Sequence, residues 1–244
     1  MPSCVRAHGR RAERPNASAA TTASAATLLL ILLLASASAS ALSFDVDFVN
    51  STYDTQPGDT FSSLLAQHAA GSIIQSTTTQ GLENISTAVY AGGVTNDYSL
   101  LLTTTFDLAV TGTYTFQVGT DWGRGGATAL IDRTTNAILS ETVLDQDIWW
   151  AYDWNNPDVF TTTFALNAGD SLMLQWVGFE GCCGGSTTLR FSVDGGAFTP
   201  FTEGNFSSFA AVPEPASGVL LGLGLTVFAR RTRRSASRIL PDRG

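Results

Sequence analysis

The sequence predicts an all-β protein, an antiparallel β-sandwich of the jelly-roll kind, preceded by a secretory leader and followed by a single hydrophobic helix. Three observations predict it. Between Leu42 and Val193, runs rich in serine and threonine alternate apolar with polar residues, the period-2 pattern of strands that bury one face. Turn signals separate these runs at short intervals: Thr111-Gly112, Asn167-Ala168-Gly169-Asp170 and Asp194-Gly195-Gly196. Only Phe61 to Ala70 has the spacing of an amphipathic helix, and Gly71 ends it.

Residues 1–41 read as a signal peptide. Arg6, Arg10, Arg11 and Arg14 form the positive region, Thr27 to Leu34 the apolar core, and Ala37-Ser38-Ala39 or Ala39-Ser40-Ala41 the small-residue cleavage site for signal peptidase. Arg10-Arg11 is followed by Ala12-Glu13-Arg14, without the apolar residue a twin-arginine signal wants, so the general secretory route is expected.

Residues 42–211 are expected to form one exported domain with room for a sizeable core. Leu42 to Val49 opens it as a strand. Ser99 to Val110 and Thr113 to Val118 read as a hairpin about Thr111-Gly112, with Tyr114, Phe116 and Val118 on one face. Ala127 to Asp132 pairs with Ala137 to Val143, and Gly123 to Gly126 turns the chain as a hairpin would. Phe160 to Leu166 and Ser171 to Phe179 read as a further hairpin, and Ser186 to Val193 ends at Asp194-Gly195-Gly196.

Charge narrows the function classes. This stretch holds three arginines (Arg124, Arg133, Arg190), no lysine and 18 acidic residues, a net charge of −15. Such a surface excludes nucleic acid as a partner. It suits a soluble exported protein, a saline habitat, or calcium as a bound ion. His68 is the sole histidine of the domain, and neither Gly-x-Ser-x-Gly nor His-Glu-x-x-His occurs, so triad and zinc-protease chemistry are not expected. A pair of carboxylates working as an extracellular glycoside hydrolase is the enzymatic alternative.

Two stretches are candidate sites. Leu144 to Phe160, LDQDIWWAYDWNNPDVF, sets Trp149, Trp150, Tyr152 and Trp154 among Asp145, Asp147, Asp153, Asn155, Asn156 and Asp158. Flat aromatic faces stack on sugar rings while carboxylates and amides bond hydroxyls, which points to a glycan. Equally, two of the three tryptophans face the core and the acids only solvate a long loop. The second stretch is Cys182-Cys183, the only cysteines left once Cys4 departs with the leader. The two either pair with each other across a strained eight-membered ring, bridge to another chain, or stay as thiols. Gly181, Gly184 and Gly185 give the backbone freedom such a ring needs, and Glu180 beside it shapes one wall of a ligand site. Two thiolates fall short of the four ligands of a structural zinc, and the loop acids do not follow an EF-hand spacing.

The chain then reads VPEPASGVLLGLGLTVFARRTRR over residues 212–234. Pro213 and Pro215 stiffen Val212-Pro213-Glu214-Pro215 into an extended, protease-accessible step. Ala216 to Ala229 carries no charge and spans roughly 21 Å as a helix, short of a typical hydrocarbon core of about 30 Å, a deficit that snorkelling arginines and local thinning make good. Arg230, Arg231, Arg233 and Arg234 form a membrane stop retained on the cytoplasmic side, with residues 235–244 as a cytoplasmic tail.

These three parts in this order resemble the PEP-CTERM sorting signal of exported bacterial proteins. The resemblance implies an exosortase as partner, transient anchoring in the inner membrane, a final place at the cell surface or in the extracellular matrix, and association with exopolysaccharide. Cys182-Cys183-Gly184 is similar to a subset of such proteins marked by Cys-Cys-x-Gly. Within the domain, Phe106-Asp107-Leu108, Gly112 to Phe116, Asp121, Leu130-Ile131-Asp132, Leu166, Ala168-Gly169-Asp170 and Leu189-Arg190-Phe191 resemble the protective-antigen-type lectin-like β-sandwich of adhesins. That resemblance implies a sugar held through calcium on adjacent acidic residues. Asp121 is followed by Trp122, so the paired aspartates are missing and the fold carries over better than the ligand. The combined expectation is a non-enzymatic surface or matrix protein that associates with glycan, contacted by Asp121, Trp149, Trp150, Asp153, Trp154 and Glu180. The alternative is a purely structural matrix component.

Overall fold

The apolar alternation of one long strand sets the architecture. In β4 (Tyr98–Asp107), Tyr98, Leu100, Leu102, Thr104 and Phe106 are buried on one face. Hydrogen-bonded on either side of it are β1 (Ser43–Asn50) and β10 (Ser171–Glu180), both antiparallel. The computed structural model describes residues 42–211; the leader and the sorting tail lie outside the described residues. With β2 (Ser72–Thr78), β6 (Gly126–Asp132) and β7 (Ala137–Leu144), these strands form a first sheet in the order β2-β1-β4-β10-β6-β7.

The second sheet centres on β5 (Gly112–Trp122). It is flanked by β11 (Ser186–Val193) on one edge, and on the other by β9 (Phe160–Leu166) and the two-residue β8 (Ile148–Trp149). Short β3 (Ile85–Ser86) and β12 (Thr199–Pro200) extend β11. The inner faces enclose the main core, in which Phe106, Phe116, Phe191, Phe201 and Phe206 interlock, with Phe106 and Phe206 rings 5.0 Å apart and edge-on.

The expected helix is present as α1 (Phe61–Ala69), started by a reciprocal cap in which Ser63 N–H donates to Thr60 Oγ1 (3.1 Å) and Thr60 N–H to Ser63 Oγ (2.9 Å). Its Phe61 and Leu64 bury against Ala127, Ala129, Val177 and Phe179 on the outer face of the first sheet, a second small core. Two one-turn helices, α2 (Thr87–Tyr90) and α3 (Glu203–Phe206), complete the elements.

Three expected hairpins are corrected. β4 and β5 do not pair, nor do β9 and β10, and Gly123 to Gly126 does not join paired strands. Each connection carries the chain from one sheet to the other as an arch, so that consecutive strands turn their faces, not their edges, to each other. Phe106 and Phe116 accordingly meet across the sandwich at 5.9 Å. A turn signal marks a reversal of direction, and both geometries satisfy it. The β6 to β7 hairpin is as expected.

The arches also sort the molecule into two ends. β4, β5 and β10 bring Tyr98, Trp122 and Glu180 to one end, where β11 begins at Ser186. Asp107, Gly112, Ser171 and Val193 lie at the other, and there Ala211, the last described residue, donates its N–H to Asp107 O (2.7 Å).

Candidate functional site

Strand geometry separates the tryptophans. Ile148 and Trp149 pair with Trp122 and Asp121, so Ile148 points into the core and Trp149 outward, 63 % exposed. Trp150 then crosses the outer face of β5, its N–H on Thr120 O (3.1 Å) and its ring on Gly119. A Cβ at Gly119 would sit 2.3 Å from that ring, so only glycine seats it. Trp150 is buried, Trp154 half-buried, and neither joins the core between the sheets. The tryptophans are thus not core, and they do not form one platform either: they serve two separate hollows on either side of the loop.

The first hollow is a cleft of about 570 Å³ at the end of the sandwich, lined by Asp121, Asp147, Trp149, Glu180, Cys182 and Cys183. Glu180 is buried there, and its carboxylate accepts three backbone N–H groups, from Gly181 (2.8 Å), Cys182 (2.9 Å) and Gly123 (3.1 Å). It ties the β5–β6 arch to the cysteine loop. Beneath, Gly185 N–H donates to the Tyr98 hydroxyl (2.7 Å) and Trp122 Nε1 to Thr187 Oγ1 (2.8 Å). Burial, then Glu180 and Asp147, push the Asp121 carboxyl above the usual carboxylate range. Among the described residues no group of three or more His, Cys, Asp or Glu side chains converges closely enough to hold a metal ion.

Cys182 and Cys183 are exposed, with free thiols, and Cys183 holds the left-handed backbone (φ 71°). The hydrogen bond to Cys183 is the first cause that pushes the Cys182 thiol up to about 11, helped by partial desolvation, Cys183, Glu180 and Asp147. A thiol so protonated is a poor nucleophile at neutral pH. His68 is equally withdrawn, buried on α1 with Nδ1 2.7 Å from Ser99 Oγ.

The second hollow is a groove of about 420 Å³ on the outer face of the second sheet, walled by Trp150, Tyr152 and Trp154 on one side and by Arg190 and Phe198 on the other. Trp150 to Asp153 forms a tight turn closed by Asp153 N–H on Trp150 O (2.8 Å). Ala151 (φ 53°) and Tyr152 (φ 58°) both sit in the left-handed region that such turns reserve for glycine and asparagine. This strained step lays Tyr152, 71 % exposed, beside Trp150 at 5.0 Å, with Trp154 edge-on to Trp150 at 4.5 Å. The loop acids hold the turn in place. Asp153 accepts from Asn155 N–H (2.9 Å) and Nδ2 (3.3 Å), and Asp158 from Trp149 N–H (3.1 Å).

The expected contacts therefore divide. Asp121, Trp149 and Glu180 share the cleft, Trp150 and Trp154 the groove, and Asp153 braces the loop between them. Arg190 and Phe198 were not among the expected contacts, whereas Asp147 and Tyr152 belong to the candidate stretch. Arg190 and Phe198 lie some forty residues further along the chain, and only the pairing of β11 with β5 brings them beside the tryptophans. A further hollow of about 630 Å³ near Thr79 and Glu203 offers one aromatic ring, Tyr90, and no cation, and has less to hold a ligand with.

Solved structures similar to the described domain include a PA14 sugar-binding domain from an RTX adhesin, at 14 % identity and TM-score 0.44, covering 70 % of this chain and 99 % of that one. Another is the A domain of Epithelial Adhesin 6 from Candida glabrata in complex with Galβ1-3GlcNAc, at 13 % identity and TM-score 0.43, covering 68 % and 85 %. An anti-sigma factor domain-containing protein is similar at 12 % identity and TM-score 0.45, covering 72 % and 49 %. No curated protein sequence matches the chain. Residues 211–234 match the PEP-CTERM protein-sorting motif, so the chain carries a signal that sorts it for export to the cell surface.

Proposed function

We propose that this protein is a non-enzymatic surface or matrix component that associates with exopolysaccharide or another glycan through the aromatic groove. In this proposal signal peptidase removes residues 1–41. An exosortase then acts at Val212-Pro213-Glu214-Pro215, while residues 216–234 hold the chain transiently in the inner membrane.

One observation carries the glycan reading. Tyr152 is kept in a backbone region that disfavours it, at a cost of order 1–3 kcal/mol, and the ring so placed is largely open to solvent beside Trp150. Strain of that kind persists where the surroundings enforce it, and an exposed ring braced by a tryptophan is a surface that stacks on sugar faces. The groove volume falls within the range of small-ligand sites. The withdrawn His68, the sole histidine of the domain, favours binding over catalysis.

A glycan array read with the exported protein and its Tyr152→Ala variant tests this. The proposal expects saturable binding to one glycan class, weakened at least about tenfold in the variant, the equivalent of roughly 1.4 kcal/mol. A blank array for the unaltered protein, or equal binding by the two, overturns it.

A further inference from the structure

Arg190 is the arginine that lines the aromatic groove. It stands on the outer face of β11, opposite Gln117 of β5 and Pro200 of β12. Its guanidinium lies between two rings, 3.9 Å from the centre of Trp154 and 4.3 Å from that of Phe198. Nε donates to Gln117 Oε1 at 2.8 Å. Two rings and one hydrogen bond at Nε therefore hold the group. The remaining nitrogens, Nη1 and Nη2, make no hydrogen bond or ion pair among the described residues, and neither is sealed from solvent.

That arrangement is unlike the other two arginines of the domain. Arg124 pairs with Asp97 at 2.9 Å and Arg133 with Asp107 at 3.3 Å. Arg190 has 18 acidic residues in its own domain to choose from, and Glu83 lines the same groove, yet among the described residues no carboxylate comes within ion-pair distance of it. A guanidinium clamped between rings is oriented and partly stripped of water, and its free fork matches the two oxygens of a carboxylate. Trp150, which lines the groove, adds a buried indole N–H without an acceptor among the described residues.

We infer that the groove selects an acidic sugar, a hexuronate residue whose carboxylate sits on Nη1 and Nη2 of Arg190 while its ring stacks on the exposed Tyr152. This rests on the glycan reading of the same groove and narrows it to one substrate class. The carboxylate replaces water at the open fork and completes the ion pair that the domain itself withholds.

The test is calorimetry of the exported protein with short oligomers of galacturonate, glucuronate, mannuronate and guluronate, each against its carboxyl-reduced neutral counterpart. Short oligomers keep most of the ligand near the groove, where repulsion from the rest of a domain of net charge −15 is screened beyond about 8 Å at physiological ionic strength. At least one acidic oligomer is expected to bind ten times or more tighter than its reduced form. Arg190→Gln should abolish that preference. Gln117→Glu, which keeps Arg190 and its stacking but supplies an internal carboxylate at Nε, should weaken it while raising thermal stability. Equal affinity for acidic and reduced forms overturns the acidic selection and leaves the glycan reading standing. Binding of neither form overturns both. An undiminished preference in a folded Arg190→Gln or Gln117→Glu protein assigns the carboxylate elsewhere and also overturns the inference.

Discussion

His68, the sole histidine of the domain, is a source of pH-dependent stability. Burial under α1 lowers its pKa to about 4, partly opposed by the nearby Asp47. The folded protein therefore resists protonating this ring, whereas the unfolded chain accepts a proton at the ordinary value of 6.5. Stability is complete above about pH 6.5 and is lost as pH falls toward 4, by up to roughly 3 kcal/mol, beyond which it levels off. Denaturant unfolding at several pH values should show this slope, and His68→Gln, which can still bond Ser99, should flatten it. An unchanged slope in the variant would place the titration elsewhere. That His68 is a lone histidine without a triad or zinc motif is legible in the sequence; its hydrogen bond to Ser99, 31 residues away on β4, follows from the packing of α1 on the first sheet. Arg190 is the opposite case. It appears in the sequence only as one of three arginines, because the rings that clamp it arrive from Trp154 and Phe198 on separate loops.

At the scale of elements, the Trp150 to Asp153 turn separates binding from stability. Ala151→Gly removes a strained left-handed residue and is expected to stabilise the protein by about 1 kcal/mol, raising the thermal midpoint by about 2 to 4 °C, with glycan affinity unchanged. Tyr152→Gly relieves the same kind of strain but removes the exposed ring, so affinity should fall while stability holds. Calorimetric unfolding and binding of the two variants check this together; parallel losses of both in Tyr152→Gly would make the ring structural. The period-2 runs made β1, β4, β5, β6, β7, β9, β10 and β11 legible, since alternation reports which residues share a face. It does not report which sheet a strand joins, and three arches read as hairpins for that reason. β2 escaped because Ser72 to Thr78 lies at the sheet edge with both faces largely exposed, leaving no apolar alternation to detect. β3, β8 and β12 are two residues each, too short for any period.

Taken whole, the molecule is an acidic sandwich with an address. The sorting motif was legible because its chemistry is contiguous: prolines, an uncharged run and arginines within 24 residues. The groove was legible only in its tryptophans, because a binding surface is assembled across sheets and a sequence is not. The two ends of the sandwich also differ in what they carry. The chain leaves the described domain beside Asp107, while the cleft of Trp149 and Glu180 opens at the opposite end and the groove lies on the flank between. Neither hollow includes a residue of the Asp107 end. The most direct measurement is a titration of the exported protein with the matrix polysaccharide of its own producing cell, followed by intrinsic tryptophan fluorescence. The account predicts a saturable change that disappears in Trp154→Phe combined with Tyr152→Gly; a flat signal from the unaltered protein, or a change that survives those substitutions, would contradict it.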